Sequence, residues 1–257
     1  MKLFIKKLAR SNLSIRIRNL IGFRPVPLNS NKLSQNFSVS DGFPWRTDNY
    51  FKTNFKYTDL LKVFYDEINS NVEIHFYDKN NNLIKKINKF NINISNNFLI
   101  DKEFLNGIED YGIFYIYHKS DKKINSSIRN SCYTGFSYKN QLESYVHGNC
   151  PTSYKPLDPS TSLYEKHEIV GRSIFMNQNY KIQKYFENFS KSEIFIQNPT
   201  FKKIKFLINK TSYELNGKCS VIVDTTQLNE IEITSNCYFL RPLVFCYQND
   251  YIDVHHG

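Results

Sequence analysis

The chain contains one alanine, Ala9, among 257 residues. Alanine is the strongest helix former, so its near absence removes the usual material of long helices. In its place stand 27 isoleucines, 18 tyrosines and 21 phenylalanines, which fit the pleated, half-buried surface of a strand. The expectation is therefore an all-β protein. Apolar residues make up 40% of the chain, enough to build a core. No run of 18 apolar residues occurs, so the sequence offers no transmembrane helix.

Period-two patterning marks individual strands. Val72, Ile74 and Phe76 alternate with Glu73, His75 and Tyr77. Ile204, Phe206 and Ile208 alternate with Lys203 and Lys205, and Ile231 and Ile233 with Glu230 and Glu232. Asp78–Asn82 and Asn209–Thr211 supply turn chemistry between them. Short strands with turns at close spacing suggest antiparallel sandwiches.

Parts of the sequence recur in the same order. Phe90–Glu109 matches Tyr213–Glu232, with identities that include Asp101/Asp224, Leu105/Leu228 and Asn106/Asn229. Phe136–Gly148 matches Phe245–Gly257, sharing Phe, Tyr, Asn, His and Gly. Tyr50–Phe55 echoes Tyr185–Phe189. The spacing of the two longer matches differs, which requires an insertion in the first copy. The polar stretch Lys119–Asn130 has the needed character. These matches predict two immunoglobulin-like antiparallel β-sandwich units from an internal duplication. The expected division is a basic arm at 1–34, a first unit at 35–150, an ordered connector at 151–184 and a second unit at 185–257.

Net charge is +10, but it is concentrated. No acidic residue precedes Asp41, while residues 1–40 hold Lys2, Lys6, Lys7, Arg10, Arg16, Arg18, Arg24 and Lys32. Wheel placement gives a short helical arm of moderate amphipathicity. Lys6, Lys7, Arg10, Arg16 and Arg18 are its candidate contacts to an anionic membrane surface. A partner protein is an alternative occupant. Nucleic acid ranks last, because the rest of the chain is near neutral. The five cysteines form no CxxC pair, which fits reduced thiols in a cytoplasmic protein, peripheral to a membrane if the arm binds one.

No GxSxG, P-loop, dinucleotide fingerprint, HExxH or EF-hand pattern occurs. No cofactor is expected, and catalysis is the weaker reading. Trp45 and Arg46 combine an aromatic face with a guanidinium, which suits a sugar or an acidic group; the alternative is a core anchor with Arg46 paired to Asp41 or Asp48. His147 and His256 close the two copies at equivalent positions, beside apolar neighbours that favour a scaffold role. Asp253 and His255 share the opposite strand face and have no counterpart in the first copy. Two ligands do not make a zinc site, so no metal is expected. Arg241 interrupts an apolar strand, at an edge or paired with Glu232 or Glu109.

The functional expectation is a non-catalytic binding or scaffold protein, associated through its arm with bacterial envelope or surface-polysaccharide assembly. The alternative is a carbohydrate-acting or metal-dependent enzyme with Trp45, Arg46, Asp253 and His255 in one cleft.

Overall fold

A computed structural model describes residues 37–120, 122, 124, 127–129, 132–149, 151–156, 170–176, 178–183 and 189–257. It also describes 8, 11, 13, 14, 16 and 17. Leu8, Leu13, Ser14, Arg16 and Ile17 are helical, and Leu8, Leu13, Arg16 and Ile17 are exposed. Lys6, Lys7, Arg10 and Arg18 of the expected arm lie outside the described residues. No helix among the described residues is long and apolar enough to cross a membrane.

The molecule is all-β. One four-stranded sheet joins β2 (Phe43–Arg46), β7 (Tyr111–Lys119), β4 (Asn71–Asp78) and β5 (Leu83–Lys89), in that order. A second joins β10 (Ser144–His147), β9 (Cys132–Tyr138), β3 (Phe51–Thr58) and β6 (Ser95–Ile100). The C-terminal part forms a third from β12 (Gln178–Gln183), β17 (Glu230–Ser235), β14 (Ile204–Ile208) and β15 (Thr211–Leu215). The fourth is β16 (Ser220–Asp224), β13 (Lys191–Gln197), β18 (Leu243–Gln248) and β19 (Tyr251–His256). A small fifth sheet places β1 (Phe37–Asp41) between β11 (Pro151–Pro156) and β8 (Ser127–Arg129). All pairings are antiparallel except β1 with β8.

This corrects the expectation of two immunoglobulin-like sandwiches. An immunoglobulin-type unit splits seven strands four and three. Here four small four-stranded sheets pack face against face in succession, as the blades of a four-bladed β-propeller do. Strand order nevertheless recurs: β2-β7-β4-β5 is mirrored by β12-β17-β14-β15, and β10-β9-β3-β6 by β19-β18-β13-β16. Strand β12 falls within the stretch read as a connector but forms a sheet edge.

Three apolar clusters hold the sheets. Phe43, Trp45, Phe55, Ile74, Phe76 and Phe114 fill the space between the first two sheets. Ile194, Ile196, Phe206, Ile231, Ile233 and Val244 fill that between the last two. The third cluster joins the halves, bringing Tyr77, Ile113, Tyr115 and Phe136 against Phe195, Leu243, Phe245 and Val254. This cluster explains why period-two reading of β4 was incomplete. Val72, Ile74 and Phe76 are buried as expected, but so are Glu73, His75 and Tyr77 on the other face. At Tyr77 that face belongs to the third cluster instead of meeting water. By contrast β14 and β17 keep their alternation, with Lys205, Glu230 and Glu232 exposed. The single described helix of the body, α1 (Leu60–Tyr65), starts at Asp59, whose carboxylate accepts from the Leu61 and Lys62 amides at 3.1 Å each.

Candidate functional site

The segment between β2 and β3 is short and heavily fixed. At its root the Arg46 side chain is 1% exposed. Its Nε and Nη2 donate to the two carboxylate oxygens of Asp48 at 2.9 and 2.7 Å. Nη1 donates to Glu193 Oε2 at 2.8 Å and to the Tyr247 hydroxyl at 3.2 Å. Tyr247 in turn donates to Glu193 Oε2 at 2.6 Å, and Lys191 Nζ lies 2.5 Å from Glu193 Oε1. The guanidinium sits 4.0 Å from the Phe51 ring centre and 4.9 Å from that of Phe245. Burial would weaken the charged guanidinium, but its hydrogen bond to Asp48 and the surrounding charges hold its pKa above the ordinary value. A bidentate, stacked arginine of this kind orients what it holds.

What it holds is a strained turn. Asn49 and Tyr50 both adopt left-handed backbone, with φ of 49° and 69°. Asn49 donates to Asp48 Oδ2 at 2.9 Å, and the Phe51 amide donates to the Asp48 carbonyl at 2.9 Å. The Lys139 amide donates to the Tyr50 carbonyl at 3.2 Å. Thr47 is tied to the Ile108 and Asp110 carbonyls. The product is a tyrosine 75% exposed on a fixed backbone. Non-glycine residues in such backbone are costly and persist where the surroundings over-determine them.

Tyr50 and Asn49 border an open cleft of about 950 Å³ with Asp101, Glu103, Lys139 and Asn140. The same lining includes Phe51, Lys52, Lys102 and Glu109, so carboxylates, ammonium groups and amides share the cleft with Tyr50. Lys139 is held in its charged form by a hydrogen bond to Asp250, 2.7 Å away. A second depression of about 710 Å³ lies across β12, β14 and β17 and has no aromatic lining among the described residues. The first cleft is the better-built site, because the elements behind it fix its aromatic group.

The residues expected to carry function are distributed differently. Trp45 is fully buried in a core, its indole donating to the Tyr77 carbonyl at 2.9 Å. Arg46 lies behind the cleft wall and meets no solvent-facing ligand position. Asp253 and His255 do not join them. They stand on the opposite face of their sheet from the Phe245–Tyr247 side that Arg46 contacts. The four-residue catalytic cleft is therefore not assembled, and the enzyme reading built on it falls. Arg241 pairs with neither Glu232 nor Glu109; its Nη1 donates to the Asn149 carbonyl at 3.0 Å. Asp41, an expected partner of Arg46, is bound by Arg129 through two hydrogen bonds of 2.8 Å. Among the described residues no group of three or more His, Cys, Asp or Glu could hold a metal ion. Cys132 and Cys219 are free thiols.

Tyr50 was passed over in the sequence because one exposed tyrosine among 18 carries no signal. The available hint was local: Asp48-Asn49 is turn chemistry directly before an aromatic pair.

No protein-family model matches the chain, and no curated protein matches it in sequence. Among solved structures, the apo form of the Pleurotus ostreatus lectin aligns over 91% of this chain and 83% of its own, at 7% identity and a TM-score of 0.19. The lectin from Pleurotus ostreatus in complex with GalNAc aligns over 91% and 84%, at 8% identity and a TM-score of 0.18. Scores of this size fall short of a common fold, so the likeness assigns the chain to no family.

Proposed function

We propose that the protein is a non-catalytic binding protein and that the cleft beside Tyr50 takes a carbohydrate. The observation that carries this reading is the exposed Tyr50 ring on a turn fixed by Arg46 and Asp48. A sugar presents an apolar C–H face suited to an aromatic ring and hydroxyls suited to carboxylates, amides and an ammonium. Asp101, Glu103, Lys139 and Asn140 line the same cleft as Tyr50 and supply those groups. Pre-fixing the turn lowers the ordering cost of binding. A setting in surface-polysaccharide assembly, in a reducing compartment where the thiols stay free, belongs to the same proposal. Nothing among the described residues supports a membrane or protein partner on the N-terminal arm.

The test is a glycan array with full-length protein, followed by calorimetry on the sugars it selects. Tyr50→Ala should weaken binding at least tenfold while leaving the far-ultraviolet circular dichroism unchanged. Equal affinity in the variant, or no glycan selected by the wild type, overturns the reading.

A further inference from the structure

Alternation along β3 puts Phe51, Thr53 and Phe55 on one face of the second sheet and Lys52, Asn54 and Lys56 on the other. The first set is buried, and the second is turned outward. Residues directly opposite in register share a face, so β9 and β10 extend the outward one. Asn54 pairs with Gly135, and Gly135 with Tyr145; Lys56 pairs with Tyr133, and Tyr133 with His147. Lys52 also lines the Tyr50 cleft, so the cleft and this face share a border. The strand from Phe51 to Lys56 covers about 17 Å.

Two groups occupy this face. The first is a polar network. The Tyr145 ring lies over Gly135, where a Cβ would stand 2.5 Å from ring Cε1. Its hydroxyl donates to Glu143, the Asn54 amide donates to Glu143 Oε1 at 3.1 Å, and the Lys56 ammonium sits 4.2 Å from the ring centre. The second group is a ring pair. Tyr133 and His147 have ring centres 4.7 Å apart, His147 is exposed, and Tyr133 is 43% exposed. A sheet face turned to water ordinarily carries polar side chains, so an aromatic pair there needs a reason. The scaffold does not supply one. Counting back three residues from the equivalent Phe136 and Phe245, Pro242 stands where Tyr133 does, so the second copy has no counterpart of the pair.

We infer that this surface binds an extended glycan chain, with one sugar on Tyr50, another on the Tyr133–His147 pair, and the hydroxyls between them on Asn54, Glu143 and Lys56. The inference rests on the reading of the Tyr50 cleft as a sugar site and enlarges its ligand from a single sugar to a polymer. Each aromatic station suits the apolar face of a sugar ring. Once one sugar is seated, the next station is met at a raised effective concentration, so affinity grows with chain length. Single-stranded nucleic acid stacks on rings as well, but its phosphates would meet Glu143 and the Asp101 and Glu103 carboxylates of the cleft. Sugar hydroxyls donate to those same carboxylates and accept from Lys56.

The experiment is calorimetry of the full-length protein with the two-unit and six-unit members of the glucose, mannose, N-acetylglucosamine and galacturonate homo-oligomer series, and with a twelve-nucleotide oligo-dT. A two-unit sugar reaches one station and a six-unit sugar reaches both. In at least one series the six-unit member should bind at least tenfold more tightly than the two-unit member. Tyr133→Ala should bring that ratio close to one with unchanged far-ultraviolet circular dichroism. Tyr133→Trp, which keeps a stacking ring, should preserve it. Tyr50→Ala should weaken both members. If no series shows the ratio, or if the ratio survives Tyr133→Ala, the inference is overturned, and two-unit binding that Tyr50→Ala weakens still upholds the single-sugar reading. Tyr133-dependent binding of oligo-dT tighter than that of any sugar overturns it in favour of nucleic acid.

Discussion

Arg46 shows what a single residue does here. Its sequence neighbourhood suggested a ligand contact, but the fold uses it to position the turn that carries Tyr50. Its removal leaves Glu193 and Asp48 without their main counter-charge in a largely dry site. Breaking one partner of a buried pair costs about 3–5 kcal/mol. Arg46→Met should therefore lower the urea midpoint by that equivalent, and an unchanged midpoint would show that the network adds nothing to stability. The acid limb should move as well. Burial alone would raise the Glu193 carboxyl, but Arg46, Lys191 and Tyr247 outweigh it and hold it below its ordinary 4.5. A depressed carboxylate stabilises the fold above that ordinary value, and the contribution is lost as pH falls through the lower folded value. Without Arg46, loss of stability should begin at higher pH in acid titrations followed by tyrosine fluorescence.

At the scale of elements, the repeated sequence turns out to be an interface. Phe136 and Phe245, equivalent in the two copies, meet with ring centres 5.0 Å apart, and Tyr138 and Tyr247 meet at 5.4 Å. Ser144 touches its own equivalent, Asp253, at 3.4 Å. The shared asparagines have a different cause. Asn140 and Asn249 sit at the tips of the β9–β10 and β18–β19 hairpins with φ of 61° and 55°, a conformation that asparagine tolerates better than most residues. Gly112 illustrates a close approach between strands. It pairs with Trp45 on one side and Asp78 on the other, and a Cβ there would press on the Tyr77 carbonyl oxygen and the Asp78 backbone. Backbone cannot swing aside as a flexible side chain can. Gly112→Ala should destabilise by about 1–3 kcal/mol, the usual range for overpacking, and retention of the wild-type melting temperature would refute the close contact.

For the whole molecule, the third cluster decides cooperativity. Phe195, Leu243 and Phe245 from the C-terminal sheets are buried against Tyr115, Ile113 and Phe136 from the first two. Neither half can expose these rings without a large loss of apolar burial, at about 25 cal/mol per Å². Calorimetry of the full chain should therefore show one transition, with equal van't Hoff and calorimetric enthalpies. Two resolved transitions would mean that the halves are separable. The same cluster limits what pattern reading reached. The strands, their short lengths and the recurrence were legible, because period two, turn residues and repeated blocks are local or one-dimensional signals. The arrangement of the sheets was not, since β4 and β7 read as ordinary strands whichever surface covers their second face.

The sequence by itself determined the all-β class, the alternation of β14 and β17 and the equivalence of the two C-terminal hairpins. These follow from side-chain propensity and from spacing along the chain. Only the tertiary structure decided that Trp45 and Arg46 lie inside and that Asp253 and His255 face away from them. Each of these depends on which sheet covers which face, and that is set by contacts between residues far apart in the chain. Arg46 and Glu193, 147 positions apart and joined by a 2.8 Å hydrogen bond, carry no mark of their pairing in either local sequence.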